Sequence, residues 1–290
     1  MINKFTGTAV ALITPFKKDK SIDFDALTTI INQQINFGID YLVVLGSTGE
    51  AATLSSDEKE AIRKHFVKVV AGRLPLVVGV GGNDTAQVVS ELQQTDFTGF
   101  DAVLSVSPSY NKPSQEGIYQ HYKALSEASP LPIIMYNVPG RTGQNMTPDT
   151  VIRLANDFKN IIGIKEAAGE MPQILALLRN KPKDFLIISG DDLLALPLVL
   201  AGGSGVISVI AMGFPSEFST MIHLGMAHQV SEAYKIHYRI MPAIDLIFEE
   251  GNPTGIKALL YKQGFCENEL RLPLVKSSEK LLDKIEAIVG

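Results

Sequence analysis

The stretch Ile133-Ile134-Met135-Tyr136-Asn137 … Thr147-Pro148-Asp149 … Ile161-Ile162-Gly163-Ile164-Lys165 decides the fold. Its outer runs are short and apolar and do not alternate with polar residues. Such runs suit strands covered on both faces, as in a parallel sheet. Between them, Thr147-Pro148-Asp149 supplies a capping residue, a first-turn proline and an acid at the positive end of a helix. The reading is strand, helix, parallel strand.

Six further runs of the same kind extend the pattern: Thr8–Ile13, Tyr41–Leu45, Leu76–Val80, Ala102–Val106, Phe185–Ser189 and Gly205–Ile210. Helical patterns fall between them. Ser55-Ser56-Asp57-Glu58 fits a capping box before a helix near 57–71, and Asn252-Pro253 repeats the cap-and-proline device. Eight such units fill about 225 residues, the size of a (β/α)8 TIM barrel. A doubly wound open sheet would carry a Gly-rich phosphate turn after its first strand, whereas here that strand runs into Thr14-Pro15-Phe16. The expected fold is therefore α/β, a (β/α)8 barrel over residues 1–228. Beyond 228 the strand signals stop, and Gln229–Phe248, Pro253–Gln263 and Ser277–Val289 read as helices. Residues 229–290 would form a C-terminal helical region packed on the barrel, since no Ser/Gly linker precedes them.

Composition narrows the function. The 290 residues carry 31 acids and 26 bases, a net charge of −5, which argues against a basic nucleic-acid platform. Apolar residues make up 46% and charged ones 20%, enough for a sizeable core. No apolar run approaches the ~18 residues of a membrane helix, and the N-terminus does not read as a signal peptide. Cys266 is the only cysteine, so an intrachain disulfide and a Cys-based zinc site are both excluded. These features favour the cytoplasm.

Barrel chemistry sits at the C-terminal strand ends. Lys165 ends the sixth run. It is either a lysine whose stem packs on the rim with its ammonium in water, or an amine of depressed pKa able to attack a carbonyl and form a Schiff base. Glu166 would point to the opposite side and be structural. Tyr136 ends the adjacent fifth run, as a half-buried aromatic or as a phenol beside the amine. Arg141, in a Pro/Gly loop, suits a carboxylate or braces the loop. Gly46-Ser47-Thr48-Gly49-Glu50 is a turn with hydroxyls and N–H groups for an anion, or only a capped βα turn. Tyr110 is a packed aromatic or a third hydroxyl. Asp191-Asp192 suits a hard cation or, more commonly, a helix cap. Gly79-Val80-Gly81-Gly82 lacks the last glycine of a dinucleotide fingerprint, because Asp84 stands there. The five histidines form no metal motif, and Cys266 reads as an inert thiol.

Taken together, Gly46–Glu50, Tyr136–Gly143 and Ile161–Ala168 resemble the pyruvate-dependent class I aldolase family that includes N-acetylneuraminate lyase and dihydrodipicolinate synthase. The synthase branch is the nearer. Pro113–Gly117, Ser189–Asp192, Gly205–Ser208 and Arg271–Pro273 extend the likeness over nearly the whole chain. The resemblance implies that Lys165 condenses with pyruvate and that Tyr136 shuttles protons. Ser47 and Tyr110 would complete the relay, Tyr110 reaching in from a neighbouring subunit. It assigns Thr48 to the pyruvate carboxylate, Arg141 to aspartate semialdehyde, and Gly190 and Ile207 to backbone contributions around the lysine. It implies a lyase of lysine biosynthesis through diaminopimelate, working without cofactor or metal as a homotetramer, a dimer of dimers.

Synthases usually carry Thr where Ser47 stands, as against Ser in sialate lyases, but the lyases lack an arginine at position 141. A carboxylate-bearing aldehyde needs that cation, so Arg141 weighs more. A sugar-acid lyase or 2-keto-3-deoxy acid aldolase, and a barrel retained only for binding, are the alternatives. Relatives inhibited by lysine bind it in an intersubunit cleft that would here involve Ala51, Ser56, Lys59, Asn83, Gln87 and Ser109. Gln87 replaces a glutamate and Ser109 a tyrosine, and Lys59 adds a positive charge. Lysine is expected to inhibit weakly or not at all.

Overall fold

The computed structural model describes residues 2–289. Eight parallel strands close into a barrel in chain order: β1 (Gly7–Ala11), β2 (Tyr41–Val44), β3 (Leu76–Gly79), β4 (Ala102–Val106), β5 (Ile133–Asn137), β6 (Ile161–Glu166), β7 (Leu186–Ser189) and β8 (Gly205–Ser208). Around them lie α1 (Phe24–Asn36), α2 (Ser56–Val70), α3 (Thr85–Gln94), α4 (Gln115–Ala128), the short α5 (Pro139–Thr142), α6 (Pro148–Asp157), α7 (Met171–Asn180), α8 (Ala195–Leu200) and α9 (Pro215–Met226). Then come α10 (Val230–Glu249), α11 (Thr254–Lys262) and α12 (Glu279–Val289). α10 packs on α8 and α9, and α11 and α12 pack on α10 and on each other. The (β/α)8 barrel expected from the strand runs is the observed fold.

The apolar runs divide into two layers. Ala9, Val43, Leu104, Ile134, Ile188 and Ile207 fill the barrel interior. Val10, Leu42, Val103, Met135, Ile164 and Ile187 face the helices. The capping box on α2 forms as its sequence indicates: Ser55 accepts from the Glu58 N–H, and Glu58 accepts from the Ser55 N–H. Two other start signals work differently. Thr147 does stand before Pro148, but its hydroxyl goes to Gln115 Oε1 instead of the helix. Asn252 does not cap α11, since its side chain turns to Thr48. The eighth strand stops at Ser208, short of Ile210, because the N–H groups of Val209 and Ile210 turn in to the Asp192 carboxylate.

One irregularity places the chemistry. β5 and β6 pair Ile133 with Ile161, then Ile134 with Gly163, so Ile162 is an extra residue. Ile162 lies in the inner layer and Ile164 in the outer one. An unbroken alternation from Ile162 would turn Ile164 inward and Lys165 outward, since side chains alternate with a period of two. The bulge reverses that phase. Tyr136 then stands opposite Lys165 and Asn137 opposite Glu166. Gly163 permits the bulge, because a Cβ there would lie 2.7 Å from Leu186 Cβ and 2.8 Å from the Leu186 carbonyl oxygen.

Gly163→Ala should therefore destabilise the protein by about 1–3 kcal/mol, the usual cost of overpacking. Chemical denaturation measures it, and an unchanged midpoint and slope would show that β6 relaxes freely around a methyl group.

Candidate active site

A cleft of about 890 Å³ opens at the C-terminal ends of the strands, bordered among others by Thr48, Tyr136, Arg141, Lys165, Gly190 and Asp192. Lys165, 5% exposed, lies at its base. Its Nζ is 4.4 Å from the centre of the Tyr136 ring. Burial is the main force on the amine, and the Arg141 guanidinium pushes the same way. Asp192 opposes them, and Lys165 settles at about 8. Burial also pushes the Tyr136 phenol up to about 12, with Arg141 easing it down. Tyr136 is thus a protonated hydroxyl near neutral pH, beside an amine with an accessible neutral form. A Cβ on Gly190 would sit 2.9 Å from Lys165 Cε, so the missing side chain makes room for the lysine stem.

The turn after β2 supplies the next groups. The N–H groups of Gly49 and Glu50 bond back to Gly46 and Ser47 in a tight 3-10 turn. Those of Ser47 and Thr48 remain at its open N-terminal end. Thr48 is buried, with Oγ1 accepting from Asn252 Nδ2 at 2.9 Å, whereas Ser47 is exposed on the rim. Arg141 is on α5, which Pro139 starts, and its Nη2 donates to the Asn252 carbonyl at 3.0 Å. One residue from the C-terminal region thus touches both Thr48 and Arg141. Asn252 reads locally as a helix cap, but its partners lie more than 100 residues away, where no local signal reports them.

One acidic group, Asp192, acts on the lysine. Asp192 is 3% exposed and accepts from the Ser208 hydroxyl at 2.6 Å and from the N–H groups of Val209 and Ile210. Burial raises its carboxyl to about 6 against those donors. Asp191 accepts from the N–H groups of Leu193 and Leu194, as a capping acid does. Glu166 points away from the cleft, held by Asn137, Gln173 and the Ala168 N–H.

The remaining expected residues are dispersed. Ile207 sits in the inner layer, 1% exposed. Tyr110 is 89% exposed, in a loop where its φ is +71°. Burial lifts the Cys266 thiol to about 12. His223 is on the barrel's outer surface beside Asp40.

An amine near 8 is about one-tenth neutral at pH 7, against well under a thousandth at its ordinary value near 10.4. Reductive methylation of Lys165 by formaldehyde, mapped by peptide mass, should rise with pH to a midpoint near 8. A midpoint near 10 would mean that the ammonium is not desolvated.

Comparison with known proteins agrees with this geometry. The model of the dihydrodipicolinate synthetase family matches residues 4–290. The 4-hydroxy-tetrahydrodipicolinate synthase of Flavobacterium psychrophilum is 60% identical over 282 residues, 97% of this chain and 96% of that protein. The solved dihydrodipicolinate synthase of Thermotoga maritima superposes with a TM-score of 0.96 at 39% identity, covering 99% of this chain and 98% of the other. A lysine-bound enzyme from Cyanidioschyzon merolae superposes at 0.94 with 35% identity, covering 98% of this chain and 97% of that one. By sequence, fold and coverage, the chain belongs to the dihydrodipicolinate synthetase family.

Proposed function

We propose that this chain is a lyase that condenses pyruvate with L-aspartate 4-semialdehyde to 4-hydroxy-tetrahydrodipicolinate, in lysine biosynthesis through diaminopimelate. The observation that carries this is the desolvated Lys165 amine, paired across β5 and β6 with the protonated Tyr136 phenol and overlooked by the Arg141 guanidinium. Relatives of the same length bear the synthase name.

In this reading, neutral Lys165 attacks the ketone carbon of pyruvate. Tyr136 passes a proton to the departing hydroxyl, water leaves, and an imine remains. Loss of a methyl proton gives the enamine, whose carbon attacks the aldehyde. The amino group of the second substrate then displaces Lys165, closing the ring and freeing the amine. Over the cycle one water is released. Thr48 and the N–H groups at the open end of its turn hold the pyruvate carboxylate. Arg141 receives the carboxylate of the semialdehyde, and the backbone at Gly190 and Ile207 shapes the space around the lysine. Ser47 and Tyr110 extend the proton relay to the rim. The 89% exposure of Tyr110 supports its entry into the cleft of a second copy, within a homotetramer built as a dimer of dimers. No helix among the described residues is long and apolar enough to cross a membrane, and we assign the enzyme to the cytoplasm. Residues 1–228 serve as the catalytic barrel, with 229–290 as a helical region that braces its mouth.

Borohydride with pyruvate should add a lactyl-type mass to the Lys165 peptide, and undiminished labelling in Lys165→Ala would overturn the assignment. Arg141→Ala should cut use of aspartate semialdehyde by roughly ten- to a hundred-fold, the worth of one charge-assisted hydrogen bond. Pyruvate trapping should survive that change; if it falls equally, Arg141 organises the whole mouth.

Lysine inhibition should be weak. Asn83 Oδ1 already accepts from both the N–H and the hydroxyl of Ser109. Gln87 and Lys59 replace attraction with neutrality and repulsion. Loss of a paired charge and an aromatic contact removes ~2–4 kcal/mol, about thirty- to thousand-fold in affinity. Initial rates at saturating pyruvate with millimolar lysine test this, and strong inhibition there would refute the residue-by-residue reading of the cleft.

A further inference from the structure

Among the described residues two lysines are almost wholly buried, and they are treated in opposite ways. Lys165 makes no ion pair among the described residues. Lys257, on α11, is 0% exposed and meets Glu50, also buried, at 2.5 Å. Its Nζ also donates to the Glu269 carbonyl at 2.9 Å and lies 4.2 Å from the centre of the Phe16 ring. Glu50 uses its second oxygen to accept from the Arg271 N–H at 3.1 Å. Neither member of the pair makes a hydrogen bond or ion pair to Lys165 among the described residues, and the proposed chemistry gives the pair no step.

The pair's location gives it a purpose. Glu50 directly follows the Ser47-Thr48-Gly49 turn and has φ +53°, a left-handed conformation uncommon for a residue with a side chain. The same turn is held from below, where the Thr14 hydroxyl donates to the Gly49 carbonyl at 2.7 Å. From the side, Asn252, two residues before the start of α11, donates to Thr48. Lys257 itself is set by its N–H bond to the Pro253 carbonyl. α11 and the residue that leads into it therefore grip the β2 turn at two points, one ionic from Lys257 to Glu50 and one polar from Asn252 to Thr48.

We propose that Glu50 and Lys257 are positioning residues for the pyruvate-carboxylate site: their buried ion pair fixes the β2 turn so that Thr48 and the adjacent N–H groups face the bound carboxylate. This rests on the reading of Thr48 as the carboxylate contact. It makes the C-terminal helices a part of the substrate site although they touch no reacting atom. A buried charge left without its partner is strongly destabilising, whereas removing both charges together with similar volume is tolerated. That difference separates positioning from stability.

The test uses the full-length double variant Glu50→Gln/Lys257→Met, with the milder singles Glu50→Asp and Lys257→Arg beside it. The double variant is expected to melt within a few degrees of the native protein and to bind pyruvate at least tenfold more weakly by KM. Its kcat at saturating pyruvate should stay within a few-fold, and borohydride should still label Lys165. Lys257→Arg, which keeps the charge but changes its geometry, should recover part of the lost affinity. A folded double variant with native KM for pyruvate would overturn the proposal, as would a loss confined to kcat. Should the double variant not fold, native pyruvate KM in both singles overturns it equally. If the native enzyme itself shows no pyruvate label on Lys165, the reading of the active site fails, and that result is separate from any effect of the pair.

Discussion

The extra residue in β6 is the constraint on which the site depends. Strand geometry leaves only two orientations for a side chain, and Ile162 selects between them for every later residue of that strand. With the bulge, Lys165 enters the barrel and Glu166 leaves it. Without it, the carboxylate would point into the cleft and the amine into the helical layer. The same choice aligns Tyr136 with Lys165 on neighbouring strands. Desolvation of the amine, its drop to about 8 and the nearness of a protonated phenol all descend from this one local irregularity.

Glu166 shows how the consequences are accommodated on the far side. Its carboxylate is buried without a cation among the described ion pairs, and burial pushes its pKa up. Asn137, Gln173 and the Ala168 N–H answer with donors from β5, α7 and the following loop. These bonds tie together the strands that carry Tyr136 and Lys165. A buried acid needs partners of this kind because an unpaired charge in the interior is costly. The barrel thus holds a desolvated amine without an ion pair on one face of β6 and satisfies an acid on the other.

Much of this was legible beforehand. Unbroken apolar runs indicated parallel strands, and the Ser55–Glu58 box marked the start of α2. Lys165 and Tyr136 stood out because each ends an apolar run, and Arg141 because it lies in the loop that follows one. The bulge was not legible, since Ile161-Ile162-Gly163-Ile164 reads as a uniform apolar run and hides the change of phase. Asp192 was weighed as a cap or a cation ligand; its fixed place depends on Ser208, which comes from the next strand. Asn252 and the Glu50–Lys257 pair were missed because their contacts join segments about two hundred residues apart. Periodicity reports which way a side chain faces within its own element and says nothing of a partner so distant.

Closure of the barrel has a consequence for how copies of this chain meet. Each strand is hydrogen-bonded to a neighbour on both sides, so the sheet offers no free edge onto which another polypeptide could add. Any contact between copies must run through side chains on helices and loops. Stoichiometry can then drift by surface substitution while the wall that orients the reacting groups stays as it is. Quaternary structure and the geometry of the barrel mouth become separable traits in this architecture.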